Sequence, residues 1–252
     1  MTATSTAPAG APWSPFSYIA INLARFVRPH EITFSGVNST LPMLACLLAK
    51  RAYDFPFTYI NVAGGVDPQP SSIPLSSSDP VLAEQTASIF ANEDFYDLCT
   101  RGRMDLTFLG AAQIDGEGCA NNSAIGDWHH PKVRLPGGGG GAVMLPTARR
   151  ACTWRTEHSR RTLVERLDFR TSWGGFHGVV TPIAVFVKRD GRLALQSWHP
   201  DASLAEVRER TGFAFDATGA EPTVGPTPRE REALAALDPT GQFERDAKVV
   251  LR

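Results

Sequence analysis

The chain has 252 residues, nearly balanced charges with a net charge of −1, and four cysteines. A chain of this length can form one substantial core, and we expect one domain with appendages. It has no basic cluster suited to nucleic acid or an anionic membrane, and its longest apolar run, 41–49, is far shorter than the ~20 residues of a membrane-spanning helix. The expected partner is a small molecule or another protein.

The first fifteen residues are rich in Ala, Pro, Ser and Thr, without a basic start or a continuous apolar core. They predict a disordered tail and not a signal peptide. The cysteines show no C-x-x-C spacing, which favours reduced thiols in a cytoplasmic protein. We therefore predict a tail at 1–15, an α/β domain at 16–220 and a C-terminal extension at 221–252.

Helical and β-rich segments alternate along the chain, which is typical of an α/β fold. A loop with four prolines at 66–80 leaves one strand end, a Gly/Trp loop is expected at 171–178, and Asp190-Gly191 predicts a hairpin. Helices are predicted at 16–27, 41–52, 80–91, 95–101, 162–167, 201–211 and 228–237, and strands at 31–35, 57–62, 104–109, 133–135, 151–156, 182–188 and 193–198.

Five consecutive glycines, Gly137 to Gly141, are closed by Ala142. Such a run marks a place where backbone lies close to something else, and its N–H groups could cradle a phosphate or stabilise an oxyanion. It lacks the endings of a nucleotide P-loop and of a dinucleotide fingerprint. A flexible loop is the alternative.

Two sets of polar residues near this run have two interpretations each. Asp115, Glu117 and Asp127 could include an acid/base pair of carboxylates, but the glycines that follow Asp115 and Glu117 favour a tight turn. Asn121 and Asn122 could orient a substrate carbonyl or satisfy loop backbone, and the sequence leaves both open.

The histidines also have simple structural interpretations. His129 and His130 could bind a metal, but adjacent side chains on an extended chain point to opposite faces, so local packing is favoured, with Trp128 in the core. His158 is predicted to lie at a solvated corner between a strand and a helix.

Several of these segments, in the same order, resemble the β subunit of class I CoA-transferases of the glutaconate type. The resemblance covers about 36–212 and rests on 108–115, 121–132, 134–136 with the glycines, and 158–161. It implies an open CoA-transferase-like α/β fold with a mainly parallel sheet flanked by helices, and a small C-terminal hairpin and helix. It also implies a homologous α subunit, often in an α2β2 assembly, with coenzyme A as part of the substrate and no permanently bound cofactor or metal.

In that family a glutamate at a strand end attacks the acyl-CoA, and the matching position here is Val62. Valine cannot be a nucleophile. This departure resembles the subgroup of ring-opening hydrolases of bacterial steroid catabolism, in which water cleaves a cyclic β-diketone CoA thioester. The resemblance implies that the α subunit supplies the general base.

The site implied for this chain combines the glycine loop with two strand ends. Gly139, Gly140 and Gly141 would hold the thioester or an oxyanion, and the pocket would be lined by Asn61, Val62, Gly64, Gln113, Asn121, Gly137, Gly138 and Ala142. The alternatives are a CoA-transferase whose carboxylate is Asp67 or Asp115, and a non-catalytic scaffold for the α subunit.

Overall fold

The computed structural model of the protein describes residues 14–246, and a ten-stranded sheet forms its centre. The strands are β1 (Ile32–Ser35), β2 (Thr58–Asn61), β3 (Gly65–Val66), β4 (Ser88–Ile89), β5 (Leu106–Gly110), β6 (Gln113–Ile114), β7 (Ala120–Asn121), β8 (Ala124–Gly126), β9 (Pro131–Arg134), β10 (Arg150–Trp154), β11 (Phe176–Val180), β12 (Ala184–Arg189), β13 (Arg192–Trp198) and β14 (Glu221–Pro222). The order in the sheet is β14-β13-β12-β11-β10-β5-β1-β2-β3-β4, and two small hairpins, β6-β7 and β8-β9, lie outside it.

Seven α-helices and one short 3-10 helix complete residues 14–246. The 3-10 helix spans Pro80–Ala83. The α-helices are α1 (Pro15–Ala24), α2 (Thr40–Ala52), α3 (Asn92–Thr100), α4 (Gly141–Thr147), α5 (Leu204–Arg210), α6 (Pro228–Leu237) and α7 (Gln242–Asp246).

The middle of the sheet is parallel: β1 pairs with β2 and β5, and β10 pairs with β5 and β11. The carboxyl ends of β2, β1, β5 and β10 therefore lie side by side at one edge of the sheet, where open α/β sheets bind ligands. Beyond β11 the sheet becomes antiparallel through β12 and β13. The fold is the mainly parallel α/β architecture expected from the sequence.

One face of the sheet is covered by α1, α2 and α6, which share the largest apolar cluster. Helix α2 is apolar on most sides and is accordingly buried along nearly its whole length. The predicted extension joins this core, because Leu234, Leu237 and Phe243 pack in the same cluster. The opposite face carries α3 and α4, with Met144 and Phe95 in a second cluster.

The terminal regions are only partly described. Ser14 caps α1, which begins at Pro15, so the helix starts inside the predicted tail. The rest of that tail, and the last six residues of the extension, lie outside the described residues. No helix in 14–246 has the length and apolar character needed to cross a membrane.

Two predicted helices are wrong. At 80–91, Asp79 and Pro80 start a helix as expected, but only a 3-10 turn forms, and residue Gln85 has φ +45 before the chain enters β4. At 162–167 the chain forms a turn and bends instead, because the backbone of Ile114 bonds to Thr162 O and Val164 N on either side of Leu163. The predicted loop at 171–178 also gives way to a strand at Phe176.

The Asp190-Gly191 hairpin is confirmed. Both residues have positive φ, +48 and +81, as a two-residue hairpin turn requires. The turn joins β12 to β13, the most extensively paired strands of the antiparallel part.

Candidate functional site

The turn that follows β2 is held by Asn61, which is 1% exposed. Its Nδ2 donates to Gly65 O (3.2 Å) and Leu82 O (3.0 Å), and its Oδ1 accepts from Ala63 N (2.9 Å). Gly64, which has φ +94, donates to Asn61 O and accepts from Phe90 N. Asn61 and Gly64 therefore use their polar groups to shape the turn that presents Val62.

Val62 lies at the carboxyl edge of the sheet and is half-buried. Its N–H donates to Ser35 O at the end of β1 (3.2 Å), which continues the parallel pairing past β2. Its side chain packs against the cluster that contains Met144 of α4, and Val143 and Leu109 pack against the same cluster. The position after β2 therefore packs against the same apolar cluster as α4, the helix that follows the glycine segment.

The glycine segment leads directly into α4. Gly137 and Gly139 have positive φ, +99 and +47, which residues other than glycine rarely adopt. A Cβ on Gly140 would lie 2.8 Å from both Tyr96 Oη and Met144 Cε, so α3 and α4 close tightly around the backbone there. The run is thus a shaped turn that is closely packed at Gly138 and Gly140 and open at Gly137 and Gly139.

The turn leaves several backbone donors available. Gly137 N donates to Asn122 O (2.7 Å) and Gly141 N to Gly138 O (2.9 Å). The N–H groups of Gly138, Gly139 and Gly140 find no acceptor within 14–246. Exposed Ala142 follows in the first turn of α4. Preset N–H donors of this kind can hold a carbonyl oxygen or an oxyanion.

Asn122 ties the glycine turn to the end of β5. Its Nδ2 donates to Gly110 O (2.9 Å), its Oδ1 accepts from Ala112 N (2.7 Å), and its own backbone O accepts from Gly137 N. The side chain of Asn122 thus bonds loop backbone, one of the two roles that the sequence left open, and a role in orienting a substrate carbonyl stays a prediction. The sequence cannot show which segments Asn122 joins, because its partners are distant in the chain.

Gln113 and Asn121 are brought together on the β6-β7 hairpin. Asn121 Nδ2 donates to Gln113 Oε1 (3.0 Å) and Ala124 O (2.7 Å), and Gln113 Nε2 donates to Arg161 O (3.2 Å). Both residues are buried. Their amides stabilise the hairpin, and the predicted role of either in binding a ligand stays a prediction.

A cleft of about 330 Å³ opens at the same edge of the sheet, on the side of α1 and α2. Gly110 and Ala111 line this cleft and also a small cavity of about 10 Å³ beneath the glycine turn. The cleft is lined by Phe16, Asn38, Thr40, Leu41, Leu44, Leu75, Gly110, Ala111, Trp154, Arg155, Thr156, Phe243 and Asp246. A ligand in the cleft could therefore reach the glycine turn past the end of β5, where Gly110 presents no side chain.

The two carboxylates offered as replacement nucleophiles have partners in the chain. Asp67 forms an ion pair with Lys50 (2.6 Å) and accepts from Tyr59 N (2.8 Å). Asp115 is buried and accepts from Glu117 N (3.0 Å) and Cys119 N (2.9 Å), which is the tight turn favoured by the sequence. Asp67 therefore links its segment to β2 and α2, whereas Asp115 stabilises its own turn.

The cysteines are free and buried. Burial raises the pKa of Cys46 and of Cys152 to about 12, and that of Cys99 to about 11. The pKa of Cys119 is also raised by burial. These thiols stay protonated at neutral pH and are poor nucleophiles.

Two predictions near the site are wrong. Trp128 is 45% exposed and stacks on Phe169 and beneath Arg134 instead of filling the core. His158 is 1% exposed, because Thr181 and Thr211 bond to its two ring nitrogens and make a buried position acceptable. Asp127 Oδ1 accepts from the backbone N–H groups of His129 and His130, whose side chains are exposed, and the local role predicted for these side chains stays a prediction.

Residues 17–190 match the family model described as coenzyme A transferase. This chain belongs to the coenzyme A transferase family. It is 30% identical to the β-type subunit of the 3-oxoadipate CoA-transferase of Pseudomonas knackmussii over 246 residues, which cover 90% of this chain and 94% of the relative. The resemblance to CoA-transferase β subunits is confirmed, and members of the family are enzymes.

Solved structures show the same fold. The structure of the decarboxylase AibA/AibB has a TM-score of 0.86 and 31% identity, covering 94% of this chain and 98% of the other. The structure of IpdAB from Rhodococcus jostii RHA1 has a TM-score of 0.79 and 23% identity, covering 94% and 99%. The second similarity, at its lower identity, shows the fold alone.

Proposed function

We propose that this chain is the β subunit of a two-subunit enzyme that hydrolyses a carbon–carbon bond in a CoA thioester, with no covalent intermediate on this chain. The observation that carries the proposal is Val62 at the end of β2, in an apolar cluster beside the glycine turn. Asp67 and Asp115 are bonded elsewhere, so neither stands in for the missing glutamate. A homologous α subunit, in an α2β2 assembly, would complete the site.

The chemistry follows from what the chain retains. A water molecule, deprotonated by a carboxylate of the α subunit, attacks a ring ketone and forms an oxyanion. The ring carbon–carbon bond then breaks, the oxygen becomes part of a new carboxylate, and the electron pair left on carbon is delocalised as an enolate and takes up a proton. The free N–H groups of Gly138, Gly139 and Gly140 supply donors for the negative oxygens.

The proposed substrate is a cyclic β-diketone CoA thioester of the kind left by degradation of the last steroid rings. This choice rests on the replacement of the family's glutamate by Val62, which resembles the ring-opening hydrolases of bacterial steroid catabolism. An apolar side chain there provides a wall for a hydrocarbon ring, whereas a glutamate would place a charge against it.

Decarboxylation of a CoA thioester is a second candidate, favoured by the 31% identity to the decarboxylase AibA/AibB. Loss of CO2 also leaves an electron pair on carbon that a thioester can delocalise. It requires oxyanion donors but no carboxylate nucleophile, so the geometry of this chain serves both reactions.

Product analysis separates these reactions. The purified complex is incubated with ring-bearing β-diketone CoA esters and with carboxylated CoA esters in 18O-water with added acetate, and products are identified by mass spectrometry. Hydrolysis adds one labelled water to the ring ester, decarboxylation removes CO2, and transfer produces acetyl-CoA. The proposal predicts the first result, and acetyl-CoA formation at a comparable rate would overturn it.

A further inference from the structure

Gly140 is a glycine for a different reason than its neighbours in the turn. Gly137 and Gly139 have positive φ, whereas Gly140 has φ −62 and ψ −22, a conformation open to any residue. What excludes a side chain at Gly140 is close approach, because a Cβ there would lie 2.8 Å from both Tyr96 Oη and Met144 Cε. The hydroxyl of Tyr96 therefore lies directly beside the backbone of the turn.

The hydroxyl of Tyr96 is unused within the chain. Tyr96 is 40% exposed and is the most exposed of the four tyrosines. The hydroxyls of Tyr53 and Tyr59 have side-chain partners, at 2.9 Å and 2.7 Å. The hydroxyl of Tyr96 bonds to no residue of 14–246. Since a phenol can donate a hydrogen bond, a free donor stands next to Gly140.

The ring of Tyr96 is held in place by the packing of α3. The neighbouring Phe95 is 3% exposed and stacks on Phe34 of β1, with ring centroids 3.7 Å apart. Tyr96 packs edge-on against Phe95, at 5.3 Å. Val62 packs against the same cluster as Phe34 and Phe95. The hydroxyl is therefore fixed on the side of the sheet that carries Val62 and the glycine turn.

Other polar side chains beside the turn are already bonded. The methyl group of Thr171 faces Gly138, and its Oγ1 accepts from Asn122 N (2.8 Å) and pairs with Ser123 Oγ (2.7 Å). The amide of Asn122 is used by loop backbone. Tyr96 thus adds a side-chain donor to the free N–H groups of the turn.

The proposed hydrolysis places negative charge on two oxygens in succession. Attack of water charges the oxygen of the ring ketone, and cleavage of the carbon–carbon bond moves the charge to the oxygen of the neighbouring carbonyl, as an enolate. Donors that are fixed in advance stabilise such charges most effectively. Two kinds of donor, at the turn and at its side, match the two oxygens.

We propose that Tyr96 is a catalytic residue whose hydroxyl donates a hydrogen bond to the enolate oxygen, while the N–H groups of the glycine turn hold the oxygen of the attacked ketone. The hydroxyl keeps its proton. The α-subunit carboxyl group that took a proton from water returns it to the carbon of the enolate. This inference rests on the proposed function, because it assigns a donor within that reaction.

The test compares Tyr96→Phe with Tyr53→Phe in the purified complex of this chain with its α subunit, acting on a ring-bearing β-diketone CoA ester. Tyr96→Phe keeps the ring and should lower kcat at least about tenfold with little change in KM, since removal of one oxyanion donor typically costs about 10²–10³ in kcat. Its unfolding temperature should be unchanged, because the hydroxyl bonds nothing in 14–246. Tyr53→Phe is the matched control: it loses the bond to Glu230, so its unfolding temperature should fall while kcat stays the same.

Hydrogen exchange in the ring-opened product identifies the oxygen that Tyr96 contacts. The complex is incubated with this product in deuterium oxide, and uptake of deuterium at the carbon that forms the enolate is followed by mass spectrometry. Tyr96→Phe should slow the uptake about as much as it slows hydrolysis. Normal uptake with slow hydrolysis would overturn the assignment to the enolate oxygen.

Three other results would overturn the role of Tyr96. These are a kcat of Tyr96→Phe within about twofold of wild type, an equal loss of kcat in Tyr53→Phe, and weaker assembly of Tyr96→Phe with the α subunit while the assembled complex turns over normally. Each of them leaves hydrolysis by the wild-type complex intact, and with it the proposed function. If the wild-type complex does not hydrolyse the ester, the proposed function fails and the role of Tyr96 fails with it.

Discussion

Replacing Asn122 by alanine should loosen the glycine turn from the end of β5. The change removes two hydrogen bonds, from Nδ2 to Gly110 O (2.9 Å) and from Ala112 N to Oδ1 (2.7 Å). At about 1 kcal/mol for each bond, the free energy of unfolding should fall by about 2 kcal/mol. Asn122 is only partly buried, so water compensates for part of the loss and larger values are not expected.

The assay is guanidinium unfolding of the purified protein, combined with hydrogen exchange of the amides in 137–141. Asn122→Ala should speed exchange in this segment, because its anchor at Asn122 is mobilised. Asn92→Ala, an exposed asparagine at the start of α3, is the control and should change stability by less than about 0.5 kcal/mol. A change of the same small size in Asn122→Ala, with unaltered exchange, would refute the anchoring role.

Three further predictions address the turn, the buried histidines and the C-terminal helix. Gly140→Val should lower turnover of the assembled complex by more than about tenfold, because the new side chain meets Tyr96 Oη and Met144 Cε. Gly225→Val is the control and should leave turnover unchanged, because a Cβ there meets open space. Full activity in Gly140→Val would favour the scaffold alternative. Burial lowers the pKa of His158 to about 3 and of His199 to about 4, so the unfolded chain binds protons that the folded chain excludes. The free energy of unfolding, measured with urea, should therefore fall as pH drops from about 6.5 towards 4, by up to about 1.4 kcal/mol per pH unit for each histidine, and a pH-independent value in this window would contradict the assignment. Glu230→Gln should destabilise the protein by about 3 kcal/mol, because it breaks the pair with Arg25; exposed Glu232→Gln is the control, and equal effects of the two changes in a denaturation experiment would disprove the buried pair.

The central strands could be located from the sequence within a few residues, because each is an apolar or β-branched run that ends at glycine or a polar turn. Helix α6 was placed correctly at both ends, since Thr227 and Glu230 form a capping box and Pro228 begins the helix. These signals are local, and local signals can be read from the chain alone.

The failures concern partners that are distant in the chain. His158 carries no sequence sign that Thr181 and Thr211 will enclose it. The segment 162–167 has helical composition but pairs with Ile114 instead, because tertiary pairing outweighs weak propensity.

The candidate site was only partly predictable for the same reason. The glycine turn stands out in the sequence as a motif, and Val62 stands out because the family has a glutamate there. Both lie against the apolar cluster that contains Met144. The sequence cannot show that the amides of Asn61, Gln113 and Asn121 bond within the chain. Nor can it show that Asn122 and Arg155 reach the end of β5.

The intact mass of this chain during turnover tests the central claim most directly. The complex is incubated with its CoA-thioester substrate, with and without borohydride, which reduces an enzyme-bound carboxyl thioester to an alcohol. We predict that the mass of this chain is unchanged in both samples while product accumulates. A CoA adduct on this chain, or a side-chain carboxyl group converted to an alcohol by borohydride, would contradict the proposal that no covalent intermediate forms on this chain.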